Sequence, residues 1–217
     1  MPQPYHYGFE PDEPEVPSNP LDSETILSAG IAAAASGAMG AMLLADACYL
    51  GLEKCRSAKA EEKLRALRGR AQAAWRDLIA LVDRNERAGT GLDDTVYDAP
   101  EDEADRTPRD DEDEMRARLF ASEVPMRTAG ACHQVLHLSL KALGRCGVDG
   151  IEPIGTAAAL AYSGVVGGVL AARCALAPVQ DETVPEGRIA RERAERLLRE
   201  SEALRSQIMD RVRRHIP

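Results

Sequence analysis

Asp93 and Asp94 are the residues best placed in this chain to carry chemistry. They stand four and three residues before Tyr97 and just after Ala88-Gly89-Thr90-Gly91, a stretch expected to break a helix. A carboxylate at a helix junction beside a cavity can accept and return a proton, or hold a cationic nitrogen. The same pair can also be a helix N-cap or a solvated pair. His133 and His137 lie four apart and share a helix face, with Cys132 adjacent. That spacing is half of a metal site. No acidic or histidine partner at matching spacing appears on a second helix, so a packed or hydrogen-bonded pair is expected and no metal is called for. Asp46 and Arg173 end two uncharged helices. A charge in such a place must be paired, at a rim, or facing a ligand. Arg173 can close a helix-end salt bridge or bind an anion. Tyr162-Ser163-Gly164-Val165-Val166-Gly167-Gly168 is not a phosphate loop, because it lies inside a helical run with no preceding strand.

The elements that position these groups are helices. Residues 26–45 read ILSAGIAAAASGAMGAMLLA, and residues 153–172 read PIGTAAALAYSGVVGGVLAA. Neither carries a charge, and small side chains let backbones come close, so both are expected at the centre of a helical assembly. Helix one is expected from Ser23 to about Gly51. Helix two is expected from Ala58 to Arg87, with Leu64, Leu67, Ala71, Trp75, Leu78 and Val82 as its apolar stripe. Residues 98–114 form an acidic loop in this reading. Helix three follows from Met115 to Leu143 and contains Pro125, which should kink or split it. Helix four is the second small-residue run, ending near Leu176. Helix five spans Ile189 to Ile216. The fold class is thus all-α: one domain over 23–217 of about five long helices, dimeric, preceded by a flexible Pro-rich acidic arm at 1–22.

Composition supports this and excludes other classes. Only eight of 217 residues are aromatic, and Ala, Leu, Arg and Glu dominate, which disfavours a sheet. The net charge is −9, and twelve acidic residues against two arginines fall between Asp93 and Glu114. Nucleic-acid binding through bulk charge is therefore not expected. Five cysteines, an odd number with no CxxC pair and no signal peptide before them, read as reduced thiols in a cytoplasmic protein. Each uncharged run is long enough to span a bilayer. Both are rich in Ala, Gly and Ser, and no aromatic belt or basic loop flanks them, so a membrane protein is the weakest reading.

The order of these pieces resembles the cyclodeaminase/cyclohydrolase family, which includes the cyclodeaminase domain of formiminotransferase-cyclodeaminase and the methenyltetrahydrofolate cyclohydrolases. Four segments carry the resemblance, which covers about Asp22 to Val212. SGAMGAMLL (Ser36 to Leu44) is similar to the family's first Gly/Ala helix. DDTVYDA (Asp93 to Ala99) is similar to its Asp four residues before an aromatic. ASEVPMRTA (Ala121 to Ala129) is similar to its Val-Pro helix. AALAYSGVVGGVLAARCAL (Ala158 to Leu176) is similar to its late helix ending in Arg, here Arg173. The resemblance implies an all-helical homodimer with a folate-binding cleft at or near the interface. It implies a reaction at a one-carbon amidine, with Asp93 or Asp94 carrying the proton. Gly30, Ser36, Tyr97, Thr156 and Arg173 are the substrate-binding positions it implies.

The chain also departs from that pattern. Of the family's glycine loop only Gly30 survives, among Leu27 to Ile31. The family's Asp before the late helix is lost in Ile154-Gly155-Thr156-Ala157. Two Asn flanking the Arg are here Ala171 and Ala175. A glycine loop brings backbone N–H groups close to a ligand, and Leu27 and Ile31 crowd that approach. The first reading is an enzyme acting on a C–N bond of a small heterocycle. Its substrate is a tetrahydrofolate derivative or, given these losses, a different metabolite, with no permanently bound cofactor. The alternative is a non-catalytic helical dimer that serves as a scaffold or regulatory partner.

Overall fold

The structure is a computed structural model and describes residues 29–97, 108–177 and 185–215. The arm at 1–22, Leu27 and residues 98–107 lie outside the described residues. Among the described residues five helices make up the fold and no strand occurs. They are α1 (Ala29–Glu53), α2 (Ala58–Tyr97), α3 (Pro108–Ala142), α4 (Ile151–Leu176) and α5 (Pro185–Arg213), with a single 3₁₀ turn at Val148–Gly150 leading into α4. In cyclic order α1, α2, α3 and α4 form a four-helix bundle. Across its diagonal α1 meets α3, while α5 lies against α3 and α4.

Neighbours in the ring run antiparallel, as residue pairs show. Gly30 meets Asn85 and Gly51 meets Leu64, which sets α1 against α2. Gly40 meets Ala157 and Gly167 meets Ala33, which sets α1 against α4. The small residues are there because backbones touch. A Cβ on Gly40 would stand 2.7 Å from the carbonyl oxygen of Ala157. One on Gly168 would stand 2.7 Å from that of Pro125. Real Cβ atoms do not approach that closely, so a larger side chain would force the helices apart. Ala34, Ala41, Ala47, Ala157, Ala158 and Ala161 are fully buried along the same seam.

Three expectations are corrected. First, α2 does not stop at Ala88-Gly89-Thr90-Gly91 but runs unbroken to Tyr97. Two glycines weaken a helix by about 1 kcal/mol each, which does not end one that lacks a proline. Second, α3 begins at Pro108, so residues 108–114 of the expected acidic loop are helical. Proline at the first helical position with acidic residues behind it favours a helix start. Third, of the kink or split expected at Pro125, the split does not occur, since α3 runs through it as one helix.

Trp75 also leaves its expected place. It is partly exposed rather than in the core, and lines a groove of about 280 Å³ between α1 and α2 with Met42, Ala45, Asp46, Gln72 and Arg76. By length and composition α1 and the segment Val148–Leu176 could each cross a membrane, yet half or more of each apolar window is buried against protein. The other face of α1 is outward and apolar, with Met39 at 55% and Met42 at 52% exposure.

Candidate functional site

The end of the bundle where α1 begins gathers most of the candidate residues. Gly30 is buried there in the first turn of α1, facing Asn85 of α2. Asp93, Asp94 and Tyr97 lie two to three turns beyond Asn85 on α2. Being inside that helix, the aspartates are not its N-cap; their side chains lie outside the described residues. Arg173 is exposed in the last turn of α4, at the same end.

Two candidates do not join this group. Ser36 is half-buried and donates its hydroxyl to the carbonyl of Leu160 at 2.9 Å. It straps α1 to α4. Ser36→Ala should lower stability by about 0.5–1.5 kcal/mol in urea unfolding, the usual worth of one hydrogen bond. Thr156 is exposed and lies 17 residues before Arg173 on α4. At 1.5 Å per residue, the two stand about 25 Å apart along the axis of one subunit.

Asn85, which the search for ionisable groups missed, sits at the centre of this end. It is only 4% exposed. Its Nδ2 donates to the carbonyl of Leu81 at 2.8 Å and to Thr128 Oγ1 at 3.0 Å. Thr128, fully buried, gives its own proton to the carbonyl of Val124 at 3.2 Å. Thr128 Oγ1 can therefore only accept, which fixes the amide with its nitrogen toward Thr128. Among the described residues the Asn85 Oδ1 is left buried with no hydrogen-bond partner. It points at Gly30, where any Cβ would run into it. Leaving a buried acceptor unpaired costs about 1–3 kcal/mol. The signal was in the sequence: Leu78, Leu81 and Asn85 continue one face of α2, and Val124, Thr128 and Cys132 step by four along α3. Each series puts a polar residue on a core stripe.

The histidines fill the hydrogen-bonded reading. His133 Nδ1 lies 2.7 Å from Ser201 Oγ, whose own proton goes to the carbonyl of Leu197 at 2.7 Å. His133 Nδ1 must therefore donate. The His137 ring meets it edge-on with centroids 4.7 Å apart. Among the described residues no cluster of three or more His, Cys, Asp or Glu gathers that could hold a metal. Burial, then the neighbouring His137, push the His133 pKa below 6.5, against a pull from Glu200. The unfolded chain takes up this proton first, so acid favours unfolding. The thermal midpoint should fall as pH drops below about 6.5 and level off below the folded-state value. His133→Gln should flatten that component in a pH series of melting curves.

The formiminotransferase-cyclodeaminase family model matches residues 23–210, and the chain belongs to that family. Among solved structures it is similar to formiminotetrahydrofolate cyclodeaminase from Thermotoga maritima. That match has a TM-score of 0.60 over 83% of this chain and 86% of the other, at 19% identity. At that identity the likeness concerns the fold. No curated protein matches.

Proposed function

We propose that the chain is a cyclodeaminase/cyclohydrolase-type enzyme that opens, closes or hydrolyses a C–N bond in an amidine or imine. Its site is the end of the bundle framed by Gly30, Asn85 and the last turns of α2. The orphaned Asn85 Oδ1 carries this reading. It is a fixed acceptor, and an amidine or amidinium presents N–H donors. A ligand N–H that reached it would recover the buried hydrogen bond. An amide does not titrate near neutral pH, so Asn85 can orient the substrate but cannot move its proton. Asp93, two turns farther along α2, is the proposed carrier, taking a proton from the attacking nucleophile and returning it to the departing nitrogen. Asp94, Tyr97 and Arg173 are proposed at the rim, with Arg173 facing an anionic part of the substrate. Asp93→Ala should lower kcat by about 10²–10⁴-fold, the usual share of general acid–base catalysis, and leave folding unchanged by circular dichroism. Unchanged turnover in that variant would remove Asp93 from the role of proton carrier, whereas no turnover of any amidine or imine by the parent chain would favour the scaffold reading.

The substrate class is a small cyclic amidine or imine, with a reduced folate as one member. Ile31 is half-buried beside Gly30, and Ala171 and Ala175 offer no polar group along the last turns of α4. These residues favour a reshaped pocket over the folate version. A second copy of the chain is the proposed partner, covering the outward apolar face of α1 around Met39 and Met42 and the groove at Trp75. The groove lies about 18–24 Å along α1 from Gly30, at Met42 to Asp46, so it is read as part of that interface. The protein is proposed to be soluble and cytoplasmic.

A further inference from the structure

The end of the bundle opposite Gly30 holds two thiols that the proposed reaction does not use. Cys48 is 0% exposed in the penultimate turn of α1, and Cys146 is 3% exposed in the connection between α3 and α4. They come from residues 98 apart in sequence, and the two side chains act directly on one another. Two glycines make the approach possible. A Cβ on Gly51 would stand 2.9 Å from the Cys146 Cα, and one on Gly150 would run into the Cys146 Cβ. Cys146 precedes Gly147, which has a φ of 69°, and the flanking residues Gly144, Arg145, Gly147 and Val148 are exposed. One layer of turn therefore separates this sulfur from solvent. Lys54 and Asp149 pair across the same junction.

We propose that Cys48 and Cys146 form a redox modification site, which a two-electron oxidant such as hydrogen peroxide converts to a disulfide linking the last turns of α1 to the α3–α4 connection. The Cys146 thiolate attacks one peroxide oxygen, the O–O bond breaks, and the departing hydroxide is protonated to water. Cys146 is then a sulfenic acid. The Cys48 sulfur attacks it, the S–O bond breaks, and a second water leaves with the Cys48 proton. Two thiols and one peroxide give one disulfide and two waters. The order follows from exposure and from the pairing of the two thiols, since Cys146 sits under a single exposed turn and Cys48 lies inside α1. The Cys48 thiol beside it, then Arg145, hold the Cys146 pKa below its ordinary value against the opposing effect of burial, while the same pairing raises that of Cys48. Cys132, by contrast, is buried with its pKa pushed up to about 12 and is a poor nucleophile.

Peptide mapping without reductant tests this. The full chain is treated with hydrogen peroxide, denatured and alkylated at once. The expected product is a 48–146 crosslink in most molecules, with Cys132 still a free thiol. The crosslink closes a long loop, so the melting midpoint should rise by roughly 5–10 °C and return with dithiothreitol. In Cys48→Ala the crosslink should vanish, and dimedone should label Cys146 as the trapped sulfenic acid. The proposal is overturned if oxidised wild-type protein keeps Cys146 as a thiol, carries it as a sulfinic acid, or links it to Cys55 or Cys174. The wild-type arm decides the matter even if Cys48→Ala does not fold.

Discussion

Asn85→Leu will fold into the same bundle, remain at least as stable as the parent, and lose ligand recognition. Leucine keeps the branched shape at the γ carbon and removes an acceptor that is unpaired among the described residues. Replacing a buried, half-satisfied polar group by an apolar one of similar shape is close to neutral or stabilising. Thr128 loses one incoming bond but keeps its own to Val124. With the substrate N–H left facing hydrocarbon, kcat/KM should fall by about 10- to 100-fold or more. Urea unfolding and turnover measured on the same preparation check both halves. The informative result is their opposition, since a residue that merely filled the core would lose stability and activity together.

Gly164→Val will unfold or severely destabilise the bundle. A Cβ at this position would stand 2.5 Å from the Cys132 sulfur and 2.8 Å from the carbonyl oxygen of Ala33. One of those obstacles is backbone, and it belongs to α1. Relief requires α4 to move away from α1, which also pulls Ser36 from Leu160. Overpacking of this kind costs about 1–3 kcal/mol where side chains can yield. Here a backbone carbonyl is the obstacle, so the upper end or beyond is expected. Gly69, at which an added Cβ meets nothing within 4 Å, is the control. Gly69→Ala should be neutral or gain about 1 kcal/mol from helix propensity. Melting midpoints of the two variants separate steric from conformational effects.

The contrast between these glycines shows what the sequence could and could not convey. The uncharged runs announced close-packed helices because nothing but protein could cover them well. Which glycines sit at contacts was hidden, since Gly40 and Gly69 look alike in a string of letters. Boundaries failed where local signals were weak: two glycines and a threonine read as a break, while the rest of α2 outweighed them. Trp75 matched the apolar stripe by spacing but points into a groove, because the stripe is narrower than the set of large apolar residues on α2. The candidate site was legible as a region, with Gly30, Arg173 and the end of α2 brought to one end. It was not legible as a mechanism. A search for titratable groups passed over Asn85, whose importance appears only when its hydrogen bonds are followed and one oxygen is left over. Ser36 and Thr156 matched a family segment by position, yet one is bonded to α4 and the other faces outward about 25 Å from Arg173.

The central claim is that the Asn85 oxygen receives an N–H from the ligand, and the side-chain amide of Asn85 can report it directly. Its ¹⁵N–¹H₂ signals are assigned by their absence in Asn85→Leu, then followed while the protein is titrated with 5,10-methenyltetrahydrofolate, tetrahydrofolate, formamidine and 1-pyrroline. The account predicts that at least one N–H-bearing probe shifts those signals saturably, and that its binding heat disappears in the variant. Binding of a probe with unchanged Asn85 signals and equal affinity in Asn85→Leu, or no response to any member of the set, would contradict it.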